Sequence, residues 1–435
     1  MRIAIVGTGV SGLVAAHLLH RDHELTIFEA DDRIGGHVHT VDVEMGGERH
    51  AVDTGFIVYN ERTYPGFTAL LRGLDVATQR SEMSFGVRDP EAGLEFGTTN
   101  LNRLFAQRRN LVNPEFLALV SEIGRFARVL RRLLEGEPAS AGSERLPTPA
   151  TASTTEADES LEDFVRTHGF SDAFVRRFLV PIGASIWSAD PDTYLCYPVR
   201  AFARFMQNHG LLGIGGKPKW RTVTGGARTY VDALVAPFAD RIRVGSPVWK
   251  LVATHDHGVS PRVELLTSDG PAHFDRVIVA THSDQALRLL ADATSAEREI
   301  LSAIRYQRNR ATLHSDPSLL PRTRRARAAW NYLVDGASGR VSVTYWMNAL
   351  QRIRSSEPLL VTLNGNDAID PRTVHAELQY DHPVFDAAAC AAQRRRFEIQ
   401  GERGVFFVGA YWGYGFHEDG VQSATEVAAL VAGDR

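Results

Sequence analysis

A short apolar strand runs directly into a glycine-rich turn at the start of the chain, Arg2-Ile-Ala-Ile-Val-Gly-Thr-Gly-Val-Ser-Gly12, and a helix-like stretch follows. Each glycine answers a separate demand. Gly7 lets the chain turn tightly off the strand, Gly9 lets backbone approach a pyrophosphate, and Gly12 lets the new helix pack close to the sheet. The N–H groups of Val10 and Ser11 then fall in the first helical turn, where an anion is favoured. A second strand, Leu25-Thr-Ile-Phe-Glu29, ends in an acid 17 residues past Gly12, with the small Ala30 behind it. A carboxylate there is the acceptor that the hydroxyls of a dinucleotide ribose require. The opening therefore specifies an α/β fold with a parallel sheet and a dinucleotide ligand.

Bulk properties remove several function classes. The 435 residues allow two or three domains, and 44% hydrophobic with 23% charged residues is ordinary for a globular chain. A net charge of −4 offers no global field for nucleic acid. Cys196 and Cys390 are too few for a disulfide framework and have no partners at metal spacing, so we expect no metal site and a reduced, cytosolic compartment. No secretory leader precedes the first strand, and no apolar run approaches bilayer-spanning length. Only three of the 48 basic residues are lysine: Lys217, Lys219 and Lys250.

Further along, strand-like pieces at Val41–Val43 and His50–Asp53 flank a Gly46-Gly47 turn, and residues 115–134 carry apolar side chains at helical spacing. Residues 136–160, rich in Ser, Thr, Ala, Pro and Glu, read as a flexible surface insertion. Helical patterns resume from Ser160 to Phe178. A second α/β stretch begins near Trp220, with a helix at Val231–Phe238. Its strands lie around Arg241–Val244, Pro247–Val252 and Val263–Leu266, and Phe274–Thr281 reads as one buried strand. Val248 and Ala280 in these strands are taken as cofactor-binding positions. Strands alternate again from 300 to 365, and the chain closes with Gly404–Gly409, a glycine-rich aromatic loop and a helix from about Gly420 to Ala432. The expected architecture is a Rossmann-like dinucleotide domain built from residues 1–65, 215–290 and 400–435. An inserted α+β substrate domain takes 66–214 and 291–399.

Three further motifs select the dinucleotide. Arg33-Ile-Gly35-Gly36-His37 follows the ribose acid and resembles the Arg-x-Gly-Gly-Arg loop of the flavin-containing amine oxidase, protoporphyrinogen oxidase and phytoene desaturase superfamily. There, backbone amides and an arginine face the phosphates. His37 stands where that loop has its last arginine, which makes charge neutralisation weaker or pH-dependent. Val52-Asp53-Thr54-Gly55 resembles the segment that in such flavoproteins lies near the isoalloxazine. Phe406-Phe-Val-Gly409, followed by Glu418-Asp419-Gly420-Val421, resembles the superfamily's closing motif, whose helix N-terminus donates to the flavin pyrimidine. Ala410-Tyr411 departs from it where an acid is expected. The resemblance implies FAD, an amine-oxidase-like two-domain fold, and cofactor roles for Gly409, Ala410, Asp419, Gly420 and Val421.

Several phrases resemble a bacterial subgroup of this superfamily that accompanies cyclopropane-fatty-acid-synthase-like methyltransferases. They include Ile186-Trp-Ser188, Asn208-His-Gly-Leu-Leu212, Thr344-Tyr-Trp-Met-Asn348 and Gly415-Phe-His-Glu-Asp-Gly420. That companionship implies an acyl substrate and a methyltransferase as possible partner. Many amine oxidases in the superfamily place a lysine beside flavin N5, but this chain has none after Lys250, and arginine, always protonated, is a poor stand-in. The motif alignment puts His417 at one substrate-cage position, with Tyr411 and Trp412 as the other wall. His417 is a candidate base or proton shuttle beside Glu418, or else it only hydrogen-bonds flavin or loop. Trp187, Tyr332 and Trp346 are candidates to line a substrate tunnel. Arg125, Arg128, Arg131 and Arg132 form a basic helix face, a solvated surface or at most a peripheral membrane contact.

The expected activity is hydride removal from a substrate C–H bond to flavin, acting on an apolar, lipid-like acyl chain. Two alternatives stand beside it: an O₂-dependent amine oxidase, and a flavin-binding accessory protein that has lost turnover.

Overall fold

In a computed structural model, residues 1–135, 159–187, 191–212, 218–254, 262–334 and 341–433 are described. The expected insertion at 136–160 lies almost wholly outside them. The strand Arg2–Val6 forms the centre of a five-stranded, all-parallel sheet. Its order is Ile242–Arg243, Glu24–Phe28, Arg2–Val6, Arg276–Val279, Val405–Phe407. Arg2–Val6, Arg276–Val279 and Val405–Phe407 are apolar and almost wholly buried, as parallel strands covered by helices must be, whereas the edge strand Ile242–Arg243 is partly exposed. Helix Val10–Leu19 leaves the first strand and packs against the closing helix His417–Gly433, some 400 residues away in sequence.

Phe274–Thr281 is not one strand. Gly270–Phe274 pairs antiparallel in a separate three-stranded sheet, whereas Arg276–Val279 joins the parallel one. Asp275 makes the switch: its N–H donates to the Arg2 carbonyl and its carboxylate accepts from the Arg2 N–H at 2.6 Å. Apolar periodicity runs through both strands, so it carries no sign of the break.

The other large unit is a seven-stranded mixed sheet, ordered Val374–Pro383, Tyr306–His314, Leu360–Leu363, Val341–Trp346, Trp330–Val334, Phe85–Asp89, Leu94–Gly97. Helices Pro114–Leu133, Leu161–Thr167, Val180–Trp187 and Val199–Asn208 share one aromatic-rich core around Phe126, Phe164, Phe174 and Phe202. The Val180–Trp187 helix packs across the strands Trp330–Val334 and Val341–Trp346. Between the two units lies the hairpin Thr40–Met45/Glu48–Asp53, as the Gly46-Gly47 turn implied. Thr54, just after it, shares a 2.8 Å hydrogen bond with Tyr380 of the seven-stranded sheet.

Candidate active site

The carboxyl ends of the parallel strands open onto a cavity of about 780 Å³ that extends to the seven-stranded sheet and its helices. Crevices at that edge are where α/β sheets bind ligands. Gly9, Val10 and Ser11 line it at the start of the Val10–Leu19 helix. A Cβ added to Gly9 would meet no protein atom within 4 Å, so it would stand in the cavity itself. At Gly12, which lies behind the wall, an added Cβ would come within 2.1 Å of the Gly7 carbonyl oxygen. One glycine thus keeps space for a ligand, and the other lets helix and turn touch.

Thr8, between the glycines and wholly buried, is the residue that the motif alone does not mark. Its N–H donates to Glu29 Oε2 at 2.9 Å and its hydroxyl donates to the same oxygen. Its carbonyl accepts from the Gly35 N–H at 3.1 Å. Turn, Glu29 and Arg33–His37 loop are locked to one another through this residue. A hydroxyl residue inside the turn, with an acid ending the next strand, is the signal that could have found it.

Of the sequence-derived positions, Gly7, Glu29, Ala30, Arg33, Gly35, Gly36, His37, Thr54, Gly55, Val248, Ala280, Gly409, Ala410, Tyr411 and His417 line the same cavity. Gly36 fits tightly: a Cβ there would lie 3.1 Å from Gly9 Cα. The strand ends, the helix start and the small residues from Gly7 to Ala280 fit a dinucleotide, since they leave room for phosphates and present N–H donors and a ribose acceptor.

Other positions stand behind the wall, and each has a structural occupation. Asp53 is fully buried and accepts from the Thr40 hydroxyl at 2.6 Å, the Ala227 N–H at 2.9 Å and the Gln351 amide at 2.8 Å. Burial pushes its carboxyl up to about 7. Glu418 accepts from the Gly66 and Phe67 N–H groups at 2.9 and 2.8 Å, capping helix Pro65–Gly73. Asp419 accepts from the Phe416 N–H at 2.8 Å, within the first turn of its own helix. Gly420 faces Ser11 and Val10, where a Cβ would meet Ser11 Oγ and Val10 Cγ1 at 2.8 Å. Val421 belongs to the core, and Trp412 is buried with its indole N–H donating to the Phe407 carbonyl. For Glu418, Asp419, Gly420 and Val421 the cause is shared: the closing helix begins at His417, three residues before the sequence-based start, so 417–419 form its first turn.

His417 itself lies at the cavity wall, its ring stacked on Phe56 at 3.7 Å between centroids. Its Nε2 shares a 2.8 Å hydrogen bond with the Tyr230 hydroxyl. Burial drives its pKa down to about 3, so the ring is neutral at ordinary pH and is a weak base rather than a ready proton carrier. Tyr411 lines the cavity too, its hydroxyl buried with no hydrogen-bond partner among the described residues. Among the tunnel candidates, Trp187 lines the cavity, Tyr332 packs into the core of the seven-stranded sheet, and Trp346 is tied through its indole N–H to Asn348.

The opposite wall was not anticipated. His282, Gln285 and Arg288 follow the fourth parallel strand, and Tyr380 and His382 come from the far edge of the seven-stranded sheet. The His37 ring sits 5.8 Å from His282, 5.5 Å from His382 and 5.1 Å from Tyr380. Burial, then the neighbouring imidazoles, hold His37 well below its ordinary value. No group of three His, Cys, Asp or Glu side chains among the described residues could hold a metal ion.

The flavin containing amine oxidoreductase family matches residues 10–352 of the chain. Over 55 residues, 12% of each chain, it is 46% identical to the flavin-dependent L-tryptophan oxidase RebO of Lentzea aerocolonigenes. Solved structures agree over the whole length at low identity. Cyclohexylamine oxidase from Brevibacterium oxydans matches with a TM-score of 0.70 and 17% identity, covering 100% of this chain and 99% of that one. For a putative protoporphyrinogen oxidase from Exiguobacterium the values are 0.66, 18%, 100% and 99%. For a fatty acid isomerase from P. acnes, described as producing CLA, they are 0.64, 15%, 99% and 98%. The chain therefore belongs to the flavin containing amine oxidoreductase family, an FAD-dependent oxidoreductase with that family's two-domain α/β fold.

Proposed function

We propose that this enzyme oxidises or desaturates an apolar, lipid-like acyl chain, with FAD held between the glycine turn and the closing helix. Glu29 takes the ribose, the N–H groups of Val10 and Ser11 with the Arg33–His37 loop take the phosphates, and Gly409, Ala410, Phe56 and His417 border the flavin end. When bound, FAD supplies the acceptor that takes a hydride equivalent from a C–H bond. The chain's own residues position the substrate and exclude water.

One observation carries the choice of substrate. Beyond the dinucleotide end the cavity is walled by Met83, Phe85, Ile186, Trp187, Phe205 and Trp330, with no lysine among the described lining residues; the carboxylate of Asp381, beside Tyr380 and His382, belongs to the opposite wall. The rings pack in two groups on this wall: Phe85 with Trp330 at 5.3 Å, and Phe205 with Trp187 at 4.5 Å and with Phe416 at 5.3 Å. The indole nitrogens of Trp187 and Trp330 are buried away from the cavity, so the wall offers a substrate ring carbon there. Such a surface suits an apolar chain and opposes a desolvated ammonium group.

Amine oxidation is the second possibility, favoured by the amine-oxidising relatives and by Tyr411 and His417 at the wall. Anaerobic flavin bleaching separates the two. The holoenzyme is titrated with methylated or unsaturated phospholipids and, in parallel, with a panel of primary and secondary amines. Bleaching by the lipids is expected; bleaching by amines alone defeats the acyl assignment. Silence with both panels favours an accessory flavoprotein, with a lipid methyltransferase as its natural partner.

A further inference from the structure

The stretch Leu101–Arg132 is unlike the rest of the molecule. It carries seven arginines and two glutamates in a chain whose net charge is −4. It also holds four of the largest exposed apolar side chains: Leu101, Leu111, Val112 and Leu117, with Leu101 73% and Val112 82% exposed. Leu111 and Val112 end a short turn immediately before Asn113, whose side chain caps the helix Pro114–Leu133. On that helix Leu117, Ser121, Gly124, Arg128 and Arg131 follow one another at steps of three and four residues, and all are exposed. They form a single outward face. The buried face, with Phe116, Leu119, Phe126 and Leu130, is already committed to the core.

Of the seven arginines, Arg103 pairs with Glu82 at 2.7 Å. Among the described residues Arg128 and Arg131 donate to helix carbonyls four residues back, and Arg109 donates to the Gly93 carbonyl. Arg108 donates to the Phe105 carbonyl and the Asn102 side chain. Among the described residues none of the last four, nor Arg132, has a carboxylate partner. Arg125 differs: it donates to the His168 and Gly169 carbonyls and lies over the Phe170 ring, a structural role that removes it from the face.

We propose that this face docks on an anionic lipid bilayer, with the Leu111–Val112 turn entering the interfacial region and Arg128, Arg131 and Arg132 lying on acidic headgroups. Charge complementarity selects that occupant. A bilayer surface is the partner that offers an extended anionic plane beside an apolar layer, and this face presents an exposed basic row beside projecting apolar side chains. The acyl-chain assignment is not needed for it.

Vesicle sedimentation of the holoenzyme tests it. We expect binding to phosphatidylglycerol-containing vesicles, little to pure phosphatidylcholine, and progressive release as salt rises. R128E/R131E should weaken binding at least about 10-fold, since each cation near an anionic surface contributes about that order together with its neighbour. L111S/V112S should weaken it on the same vesicles while leaving FAD content and melting temperature unchanged. Should the charge reversal disturb folding, R128Q/R131Q gives the same comparison with smaller change. Equal binding to neutral vesicles, or no response to either substitution pair, overturns the proposal. Absence of vesicle binding at low salt also overturns it and leaves the face to an acidic protein.

Discussion

Glu29, which we propose takes the ribose, is held in place by the Thr8 N–H, the Thr8 hydroxyl and the Asp31 N–H, which donate to its two oxygens. Glu29→Ala removes the acceptor without opening the core. A hydrogen bond to a charged group contributes about 1.5–3 kcal/mol, so FAD should bind roughly 10- to 100-fold more weakly. Fluorescence titration of apoprotein with FAD measures it, and an affinity within about two-fold of the parent removes Glu29 from the ribose site. Trp330→Ala makes a complementary test at the other end. It removes from the apolar wall a ring that packs on Phe85 and Tyr345 at 5.3 and 5.0 Å between centroids. Affinity for a long-chain acyl ester should fall about 10-fold or more, the order of one large apolar contact, while affinity for a small amine stays level. Flavin difference spectra of the holoenzyme report both.

Within single elements, the second and third glycines of the opening motif part company. Gly9→Ala meets open space and an ordinary backbone angle, so the apoprotein should melt within a degree or two of the parent yet bind FAD more than about 10-fold more weakly. Gly12→Ala drives a methyl group into the Gly7 carbonyl and should cost about 1–3 kcal/mol or more of stability even without cofactor. Thermal melts of the two apoproteins, with FAD titrations, decide this; equal melting temperatures would show that Gly12 is not a packing glycine. The contrast also explains what was legible. Gly7, Gly9, Glu29 and the Arg33–His37 loop share one cavity wall, a grouping legible because they are close in sequence and their spacing has a local cause. The placing of Asp419 to Val421 behind that wall was not legible, because helix starts are the least determined part of a periodic pattern: beginning at His417 turns Asp419 inward and Gly420 toward Ser11. His282, Arg288, Tyr380 and His382 were invisible since two distant segments meet there only once the sheets are assembled.

Across the whole molecule, buried ionisable groups set a pH dependence. Burial lowers His209, His314 and His382 to about 4 and His417 to about 3. Their ordinary value is 6.5, so between about 6.5 and 4 the unfolded chain binds more protons at them and stability falls as pH falls. Asp53 and Asp419, raised to about 7 from 3.8, act in the opposite sense: they favour the folded state within that window and lose their contribution as pH rises through 7. The histidines outnumber the aspartates, so acidification should be net destabilising, by roughly 2–3 kcal/mol per pH unit on the linkage slope of about 1.4 per proton. Melting temperatures measured from about pH 7 down to about pH 5 should decline steadily; a flat or rising profile would mean that the aspartates dominate. D53N, keeping the size but not the charge, should steepen the decline.

The pairing of helix Val10–Leu19 with helix His417–Gly433 bears on how the protein is made. The ribosome releases the glycine turn first, but the fifth parallel strand and the helix that backs the turn emerge roughly 400 residues later. Until then the sheet has an open edge at Arg276–Val279 and the cradle lacks a wall. Cofactor loading is consequently a late event in biogenesis, and a nascent chain stalled before Val405 should carry no flavin however well its opening motif has folded.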